Sequence, residues 1–406
     1  MNSHDSELAL RSNLAEMSPF TYKGQASSAT WSFTGGFPDV RHFPARRLAE
    51  YMSQAIEEDP GILQYGLSAD ESLRYGESTL REELLARCRG DLGPDADLAN
   101  VMLTQGAVSA IDLIFRAVID PGDIAIVEAP TWGVAITLAR QARADVRAVP
   151  VTAEGIDLDA LAALLDRLRA AGRRLKVIYT IPTFQTPTGT VLPTDNRRRL
   201  AELAARHNVL LVEDATYAAL RYEGTELPSV QSFDTGGRVV RVGSFSKTIA
   251  PALRLGWVTG SRPLLSILAS ARSDLGVSQW AARALALFLR SGHYDEHLAQ
   301  LLSAYRKKRD VLDDALTRHC DGLARWEVPA GGYFFWLRLS ERVDAAQAKK
   351  LAKRRGVTAR PGEQFFGTPE EGRQMLRIAF SQVPEEDIPH GIEVLGEALR
   401  SSRLKE

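Results

Sequence analysis

The sequence predicts an α/β fold with a mainly parallel, seven-stranded sheet in a large domain, accompanied by a smaller α+β domain. Between about residues 98 and 260, short apolar runs rich in β-branched residues alternate with amphipathic helical stretches, which is typical of a parallel sheet. After about residue 295 the pattern changes to a long charged helix followed by separate strands. The chain has 406 residues, 45% of them hydrophobic and 25% charged, and this is enough for two such domains.

The large sheet is predicted from seven short apolar runs, most of them separated by helical stretches such as Leu158–Ala171 and Asp195–His207. The runs are Val101–Leu103, Ile124–Glu128, Val146–Val151, Val177–Thr180, Val209–Glu213, Val239–Val242 and Gly256–Thr259.

The smaller domain is predicted from a long helix at Tyr294–Arg318 and strands at Gly331–Leu339 and Met375–Ser381. The N-terminal arm carries a helix at Ala45–Glu57, and we expect this arm to pack against the smaller domain. The predicted division is therefore 1–60 for the arm and part of the small domain, 61–293 for the large domain, and 294–406 for the C-terminal small domain.

Composition argues against several classes of protein. The net charge is −1 and no sustained basic stripe occurs, so a nucleic-acid partner is not expected. Two cysteines are too few for a disulfide framework, which favours a reducing, cytoplasmic setting. Neither a long apolar run nor a signal peptide in Met1–Ala15 is present, so no membrane association is expected. His293 and His297 have no third ligand nearby, so no metal site is predicted.

The segment 243–256 carries the strongest chemical pattern. Lys247 follows a predicted buried strand, Ser244 and Ser246 precede it, and Arg254 lies seven residues later. A lysine at the end of a buried strand can be desolvated and so made nucleophilic. The serine hydroxyls and the arginine supply the donors and positive charge that a bound phosphate needs.

Other strand ends carry polar or aromatic residues that fit the same site. Asp214 ends one strand and Tyr217 follows it, while Gly106 and Ala107 lie between a strand and a helix, where backbone N–H groups can bind an anion. Trp132 follows another strand in the segment Glu-Ala-Pro-Thr-Trp. Taken alone, it would more often be a core residue.

These segments, in this order, resemble the motifs of the fold-type I enzymes dependent on pyridoxal 5′-phosphate (PLP), the aminotransferase class I/II superfamily. The nearest group is that of the 2-aminoadipate and kynurenine aminotransferases, and the resemblance covers roughly residues 30 to 400. It implies the PLP-dependent transferase fold type I, with Lys247 forming the imine with the cofactor, Asp214 pairing with the pyridine nitrogen and Tyr217 donating to the ring hydroxyl. The cofactor-binding residues that it implies in addition are Gly106, Ala107, Trp132, Thr186, Ser244, Ser246 and Arg254.

The resemblance also implies how a substrate is bound. Arg377 matches the arginine that binds the substrate α-carboxylate, and Gly36 matches a glycine that brings the backbone close to the substrate. The family is dimeric, and a tyrosine of the partner subunit contacts the cofactor phosphate. Tyr65 is the first choice for that residue and Tyr75 the rival, because the interval that separates Tyr65 from the following Gly76 is longer than the family pattern leads us to expect.

One position departs from the family. The segment 181–189 resembles the Pro-x-x-Gln-Asn-Pro-Thr-Gly signature, but Thr186 stands in place of the asparagine, which lies near both the cofactor and the substrate. The predicted function is an aminotransferase acting on an L-amino acid through Lys247. The alternatives are PLP-dependent elimination, decarboxylation, cyclisation or oxidation of an amino acid in specialised metabolism. A regulatory domain is less favoured, because about 30 residues before Trp31 are too few for a helix-turn-helix domain.

Overall fold

The computed structural model describes residues 29–67 and 71–404. The strands, numbered in chain order, are β1 (Trp31–Phe33), β2 (Val101–Thr104), β3 (Ile124–Ala129), β4 (Asp145–Thr152), β5 (Gly155–Ile156), β6 (Leu175–Thr180), β7 (Leu210–Asp214), β8 (Val239–Ser244), β9 (Gly256–Thr259), β10 (Ala324–Arg325), β11 (Phe334–Leu339), β12 (Val357–Pro361) and β13 (Met375–Ala379). The α-helices are α1 (Ala45–Glu58), α2 (Ser72–Tyr75), α3 (Ser78–Leu92), α4 (Ala107–Val118), α5 (Gly133–Gln141), α6 (Leu158–Ala170), α7 (Thr194–Arg206), α8 (Arg262–Ala271), α9 (Gln279–Arg290), α10 (His293–Cys320), α11 (Ala345–Arg354) and α12 (Ile388–Ser401).

The larger sheet has the strand order β2-β9-β8-β7-β6-β3-β4-β5. The strands from β8 to β4 in this order run parallel, whereas β9 is antiparallel to both β2 and β8. All seven predicted strands occur. The eighth, β5, contains two residues that pair with the end of β4, and so short a segment has no periodicity from which it could be predicted.

Helices cover both faces of this sheet because successive residues of each buried strand point to opposite sides. Ala125 and Val127 of β3 pack with α4, α5 and α8, whereas Ile124 and Ile126 pack with α6 and α7. The continuous apolar runs seen in the sequence are therefore strands that are buried on both faces.

The smaller sheet has the order β1-β12-β13-β11-β10 and draws strands from both ends of the chain. Its core is formed with α10, α11 and α12. From the N-terminal arm, β1 pairs in parallel with β12, but α1 packs on α9 of the larger unit, where Trp280 Nε1 donates to the Met52 carbonyl at 2.8 Å. The expectation that the whole arm packs on the small domain was therefore wrong for its helix, and the domain boundaries at 60/61 and 293/294 stay a prediction.

Within the described ranges no helix is both long and apolar enough to cross a membrane. The stretch Met1–Ala15, on which the expectation of no signal peptide rests, lies outside the described residues.

The parallel strands determine where the candidate functional side chains lie. In β3, β6, β7 and β8 the carboxyl ends lie at one edge of the sheet, and those ends carry Glu128, Thr180, Asp214 and Ser244. Ligands of open α/β sheets bind at this edge.

Candidate active site

Lys247 lies in the turn after β8, at the carboxyl edge of the larger sheet. Its Nζ donates to the Gly36 carbonyl at 2.6 Å and lies 5.6 Å from the ring centre of Tyr217 and 5.9 Å from that of Phe37. Desolvation lowers the pKa of the Lys247 amine to about 8, with a further lowering from Arg377 and Arg254 and an opposing effect from Asp214. The amine is thus closer to its reactive, unprotonated form at neutral pH than an exposed lysine.

Asp214 ends β7 and is held by a donor on each carboxylate oxygen. The Thr216 backbone N–H donates to Oδ1 at 2.9 Å, and the Tyr179 hydroxyl donates to Oδ2 at 2.6 Å. Tyr217, one turn further on, is buried, and burial raises the pKa of its hydroxyl, which therefore remains a hydrogen-bond donor. These contacts leave Asp214 as an oriented, buried carboxylate.

The turn before α4 forms a small anion cradle with the segment around Lys247. Gly106 has a φ of +84°, and a Cβ at this position would lie 3.0 Å from Nη2 of Arg254, so glycine lets the arginine approach. That Nη2 donates to the Gln105 carbonyl at 2.7 Å, and the Ser244 hydroxyl donates to Ser246 at 3.0 Å. No side chain caps the α4 N-terminus, which begins at Ala107. Backbone N–H groups, hydroxyls and a guanidinium here could hold a phosphate.

The segments that carry Trp132 and Thr186 are braced against each other by Glu128 and Gln185. Glu128 accepts hydrogen bonds from the Thr180 hydroxyl at 2.5 Å, the Ile181 N–H at 3.1 Å and the Gln185 amide at 2.9 Å. The same amide donates to the Pro130 carbonyl at 2.7 Å. Burial raises the pKa of Glu128 to about 7 against the lowering effect of these donors. These hydrogen bonds hold the segments of Trp132 and Thr186 in a fixed relative position.

Arg377 lies in β13 on the face of the smaller sheet that turns toward Lys247. Its guanidinium carbon is 4.1 Å from the ring centre of Phe334 and 5.1 Å from that of Phe365, and Nη2 donates to the Thr34 carbonyl at 2.6 Å. Burial, with the nearby Arg360, lowers the pKa of Arg377 to about 9. Among residues 29–67 and 71–404 no carboxylate forms an ion pair with it, so this desolvated cation is suited to an incoming carboxylate.

The two candidate tyrosines for a phosphate contact across subunits differ in environment. Tyr65 is 66% exposed, whereas Tyr75 is half-buried and lies beneath the Arg81 guanidinium at 5.0 Å. Part of the long interval after Tyr65, residues 68–70, lies outside the described chain. Tyr65 is therefore the more exposed of the two, and the choice between them stays a prediction.

The site fits PLP by its unsatisfied polar atoms as well as by its charges. Thr186 Oγ1, Thr216 Oγ1 and Arg377 Nε are buried and have no hydrogen-bond partner among the described residues. Such groups are normally paired in native proteins, and these three are free to pair with a bound hydroxyl, phosphate or carboxylate. The residues that could hold the cofactor are Gly106, Ala107, Trp132, Thr186, Asp214, Tyr217, Ser244, Ser246, Lys247 and Arg254.

Sequence analysis missed the residues that support these side chains, chiefly Tyr179, Glu128, Gln185 and Phe334. The signal for Tyr179 was a residue with a hydroxyl near the end of a strand that is otherwise apolar, Val177-Ile-Tyr. Phe334 gave no such signal, because an aromatic residue in a predicted strand is usually a core residue.

Known proteins with similar sequences and structures were compared with the chain. Residues 51–395 match the family "aminotransferase class I and II". Aromatic-amino-acid aminotransferase 1 of Thermococcus litoralis is 32% identical over 377 residues, which are 92% of this chain and 89% of that protein.

Two solved structures share the fold along their whole length. The multiple substrate aminotransferase from Thermococcus profundus has a TM-score of 0.89 at 31% identity, with coverage of 97% of this chain and 98% of that one. The kynurenine aminotransferase of Pyrococcus horikoshii has a TM-score of 0.85 at 30% identity, covering 100% and 96%. The resemblance stated from the motifs is confirmed: the chain belongs to the aminotransferase class I and II family and is a PLP-dependent aminotransferase of fold type I.

Proposed function

We propose that this enzyme transfers the amino group of an L-amino acid to a 2-oxo acid at the site formed by Lys247, Asp214 and Arg377. The observation that carries the proposal is that the desolvated amine of Lys247 lies within electrostatic reach of an oriented carboxylate, Asp214, and of a guanidinium, Arg377, that has no counterion among the described residues. When PLP is bound, its protonated pyridine ring withdraws electrons from the α-carbon of the attached substrate.

Each side chain then has a defined task. Lys247 would hold the cofactor covalently, and its Nζ would move the proton of the substrate α-carbon. Asp214 keeps a proton on the pyridine nitrogen, and Tyr217 donates to the ring hydroxyl. Gly106, Ala107, Ser244, Ser246 and Arg254 bind the phosphate, and Trp132 covers one face of the ring. Thr186 borders both the cofactor and the substrate.

Substrate binding depends on Arg377, which pairs with the α-carboxylate, and on Gly36, which brings the backbone close to the reacting amine. The rings of Phe37 and Phe334 lie beside Lys247 and Arg377, so the pocket favours an apolar or aromatic side chain. The names of the relatives from Thermococcus litoralis and Pyrococcus horikoshii, which act on aromatic amino acids and kynurenine, support this class.

The proposed enzyme is a homodimer with shared active sites. Exposed apolar side chains recur within the segment 37–67, which a second subunit would cover: Phe37, Val40, Leu63, Tyr65 and Leu67. In this arrangement Tyr65 contacts the phosphate of the partner's site. A cytoplasmic location completes the proposal, supported by the two cysteines, which are buried and unpaired with each other.

A second candidate function rests on Thr186. Its hydroxyl has no partner in the described chain, and it is shorter than the asparagine of the family signature, so the electronic support of the cofactor differs here. This difference favours keeping a related PLP reaction, such as elimination, decarboxylation, cyclisation or oxidation of an amino acid, as the alternative.

The test incubates the purified holoenzyme with a panel of L-amino acids, with and without 2-oxoglutarate, and identifies the products by mass spectrometry. Transamination yields the 2-oxo acid of the substrate in amounts that depend on the acceptor, with aromatic amino acids among the best donors. The Thr186→Asn variant is measured in parallel and should give the same products at modestly altered rates. Products formed without acceptor, and replaced by 2-oxo acids in Thr186→Asn, would favour the second candidate.

A further inference from the structure

The hydroxyl of Tyr179 contacts Asp214 from within the larger sheet. Tyr179 lies in β6, is fully buried, and donates to Asp214 Oδ2 at 2.6 Å across to the neighbouring strand β7. The Thr216 N–H donates to the other oxygen at 2.9 Å. Each oxygen of Asp214 therefore has one donor from the chain, and the plane of the carboxylate is fixed by two contacts from different elements.

The charged and titratable groups that face Asp214 come from several elements. They are Tyr179 of β6, Glu128 of β3, Tyr217 after β7 and Lys247 after β8. Glu128 and Asp214 are two buried carboxyl groups, and their mutual repulsion is among the causes that raise the pKa of Glu128. A donor that points at Asp214 offsets this repulsion.

Tyr179 is held in the form that can act as that donor. Burial, together with the neighbouring Asp214, raises the pKa of Tyr179 well above its ordinary value. The hydroxyl therefore keeps its proton, and since the Asp214 oxygen can only accept, the direction of the hydrogen bond is fixed. Hydrogen bonds to a charged group are among the stronger ones in proteins.

We propose that Tyr179 is a positioning residue for Asp214, holding its carboxylate in the orientation that aims it at the cofactor ring. The inference rests on the proposed role of Asp214. It assigns to Tyr179 no contact with substrate or cofactor, so its effect passes through Asp214 alone.

A packing role for the ring is the competing explanation. The ring of Tyr179 meets that of Phe115 edge-on at 6.4 Å and belongs to the core between the sheet and α4. Phenylalanine would preserve this packing and remove only the hydroxyl. Tyr222 supplies a matched control, since it is also a buried tyrosine, and its hydroxyl donates to the Gly332 backbone carbonyl away from Asp214.

The experiment measures the dissociation constant of PLP, by titration of the apoenzyme, and the steady-state constants of Tyr179→Phe and Tyr222→Phe. We expect Tyr179→Phe to bind PLP on the order of ten- to a hundredfold more weakly and to lose kcat by a similar factor, with KM within about threefold of wild type. Tyr222→Phe should keep its PLP affinity. Equal effects of the two substitutions, or unchanged PLP affinity in Tyr179→Phe, would overturn the proposal.

A double-mutant cycle separates a role through Asp214 from an independent one. In an Asp214→Ala background, Tyr179→Phe should change PLP affinity by less than about twofold, because its hydrogen-bond partner is gone. The same loss in both backgrounds would overturn the inference. PLP binding as tight in Asp214→Ala as in wild type would instead overturn the proposed role of Asp214, and the inference with it.

Discussion

The amine of Lys247 should capture PLP with a pH dependence set by its surroundings. Its pKa is lowered to about 8, so the fraction of reactive amine falls roughly tenfold per pH unit below 8 and levels off above it. We expect the rate of PLP capture by the apoenzyme, followed by stopped-flow absorbance, to show this bend. The rate with N-acetyl-lysine in the same buffers corrects for the titration of PLP. A rate that climbs without a bend to about pH 10, the range of an ordinary lysine, would contradict the account.

Arg377 should contribute most to the binding of a free α-carboxylate. Arg377→Ala removes the guanidinium, whereas Arg377→Lys keeps the positive charge but loses the bidentate geometry. We expect kcat/KM to fall by on the order of a hundredfold or more in the first variant and by less in the second, chiefly through KM. The corresponding amino-acid amides provide the control, because they lack the carboxylate. A loss of the same size for acid and amide would exclude the carboxylate contact.

A residue of the site could be predicted when a short sequence motif contains it, and not when its role depends on a contact between distant parts of the chain. Asp214 ends a strand, Lys247 and Arg254 follow the next strand within one short recognisable segment, and the structure brings the three close together. Tyr179 hydrogen-bonds to Asp214, 35 residues away in the sequence, and Thr34 to Arg377, 343 residues away. No local sequence pattern indicates a contact between residues so far apart. Sequence reasoning therefore reached residues that stand in short recognisable segments and missed supporting residues whose contacts form only in the folded chain.

At the scale of elements, the loop between β12 and β13 links Arg377, the residue proposed to bind the substrate carboxylate, to the larger sheet. The Phe365 carbonyl accepts from the Thr131 N–H at 2.8 Å, and a Cβ added at Gly133, the first residue of α5, would lie 2.3 Å from the Gln364 carbonyl oxygen. Because Phe365 also packs on Arg377, a shift of this loop would move the guanidinium that is proposed to bind the substrate carboxylate.

Gly133→Ala should therefore both destabilise the fold and weaken substrate binding. Overpacking against backbone typically costs about 1–3 kcal/mol, and displacement of Phe365 should raise KM more than it lowers kcat. Gly90→Ala is the matched control, since nothing lies within 4 Å of the added Cβ in α3, and it should gain about 0.5–1 kcal/mol. Chemical denaturation gives the free energies of unfolding. Similar stability and KM in the two variants would show that the loop contact is unimportant.

Periodicity and strand composition were enough to predict the seven main strands and the long helix, because these elements are buried on defined faces. They did not predict where α1 packs. Its apolar face would fit either domain, and the choice of α9 depends on contacts such as that of Trp280 with Met52, which form only in the folded chain.

At the scale of the whole molecule, shared active sites predict complementation between inactive subunits. Lys247→Ala and Tyr65→Ala each damage a different half of the site, so a mixed dimer retains one site with both residues intact. Random pairing of equal amounts should restore about a quarter of wild-type activity. The subunits are mixed after mild unfolding, with each variant treated alone as the control. Absence of recovery, with mixed dimers demonstrated by mass spectrometry, would refute a contribution of Tyr65 across the interface.

The central claim, transamination at Lys247, is tested most directly by the stoichiometry of a reaction without acceptor. Wild-type holoenzyme is mixed with a large excess of the best amino acid from the panel, and the released 2-oxo acid is counted per bound PLP. An aminotransferase retains the amino group, so release should stop at about one equivalent and resume when 2-oxoglutarate is added. Continuous release of 2-oxo acid without acceptor would contradict transamination and identify an elimination or an oxidation in its place.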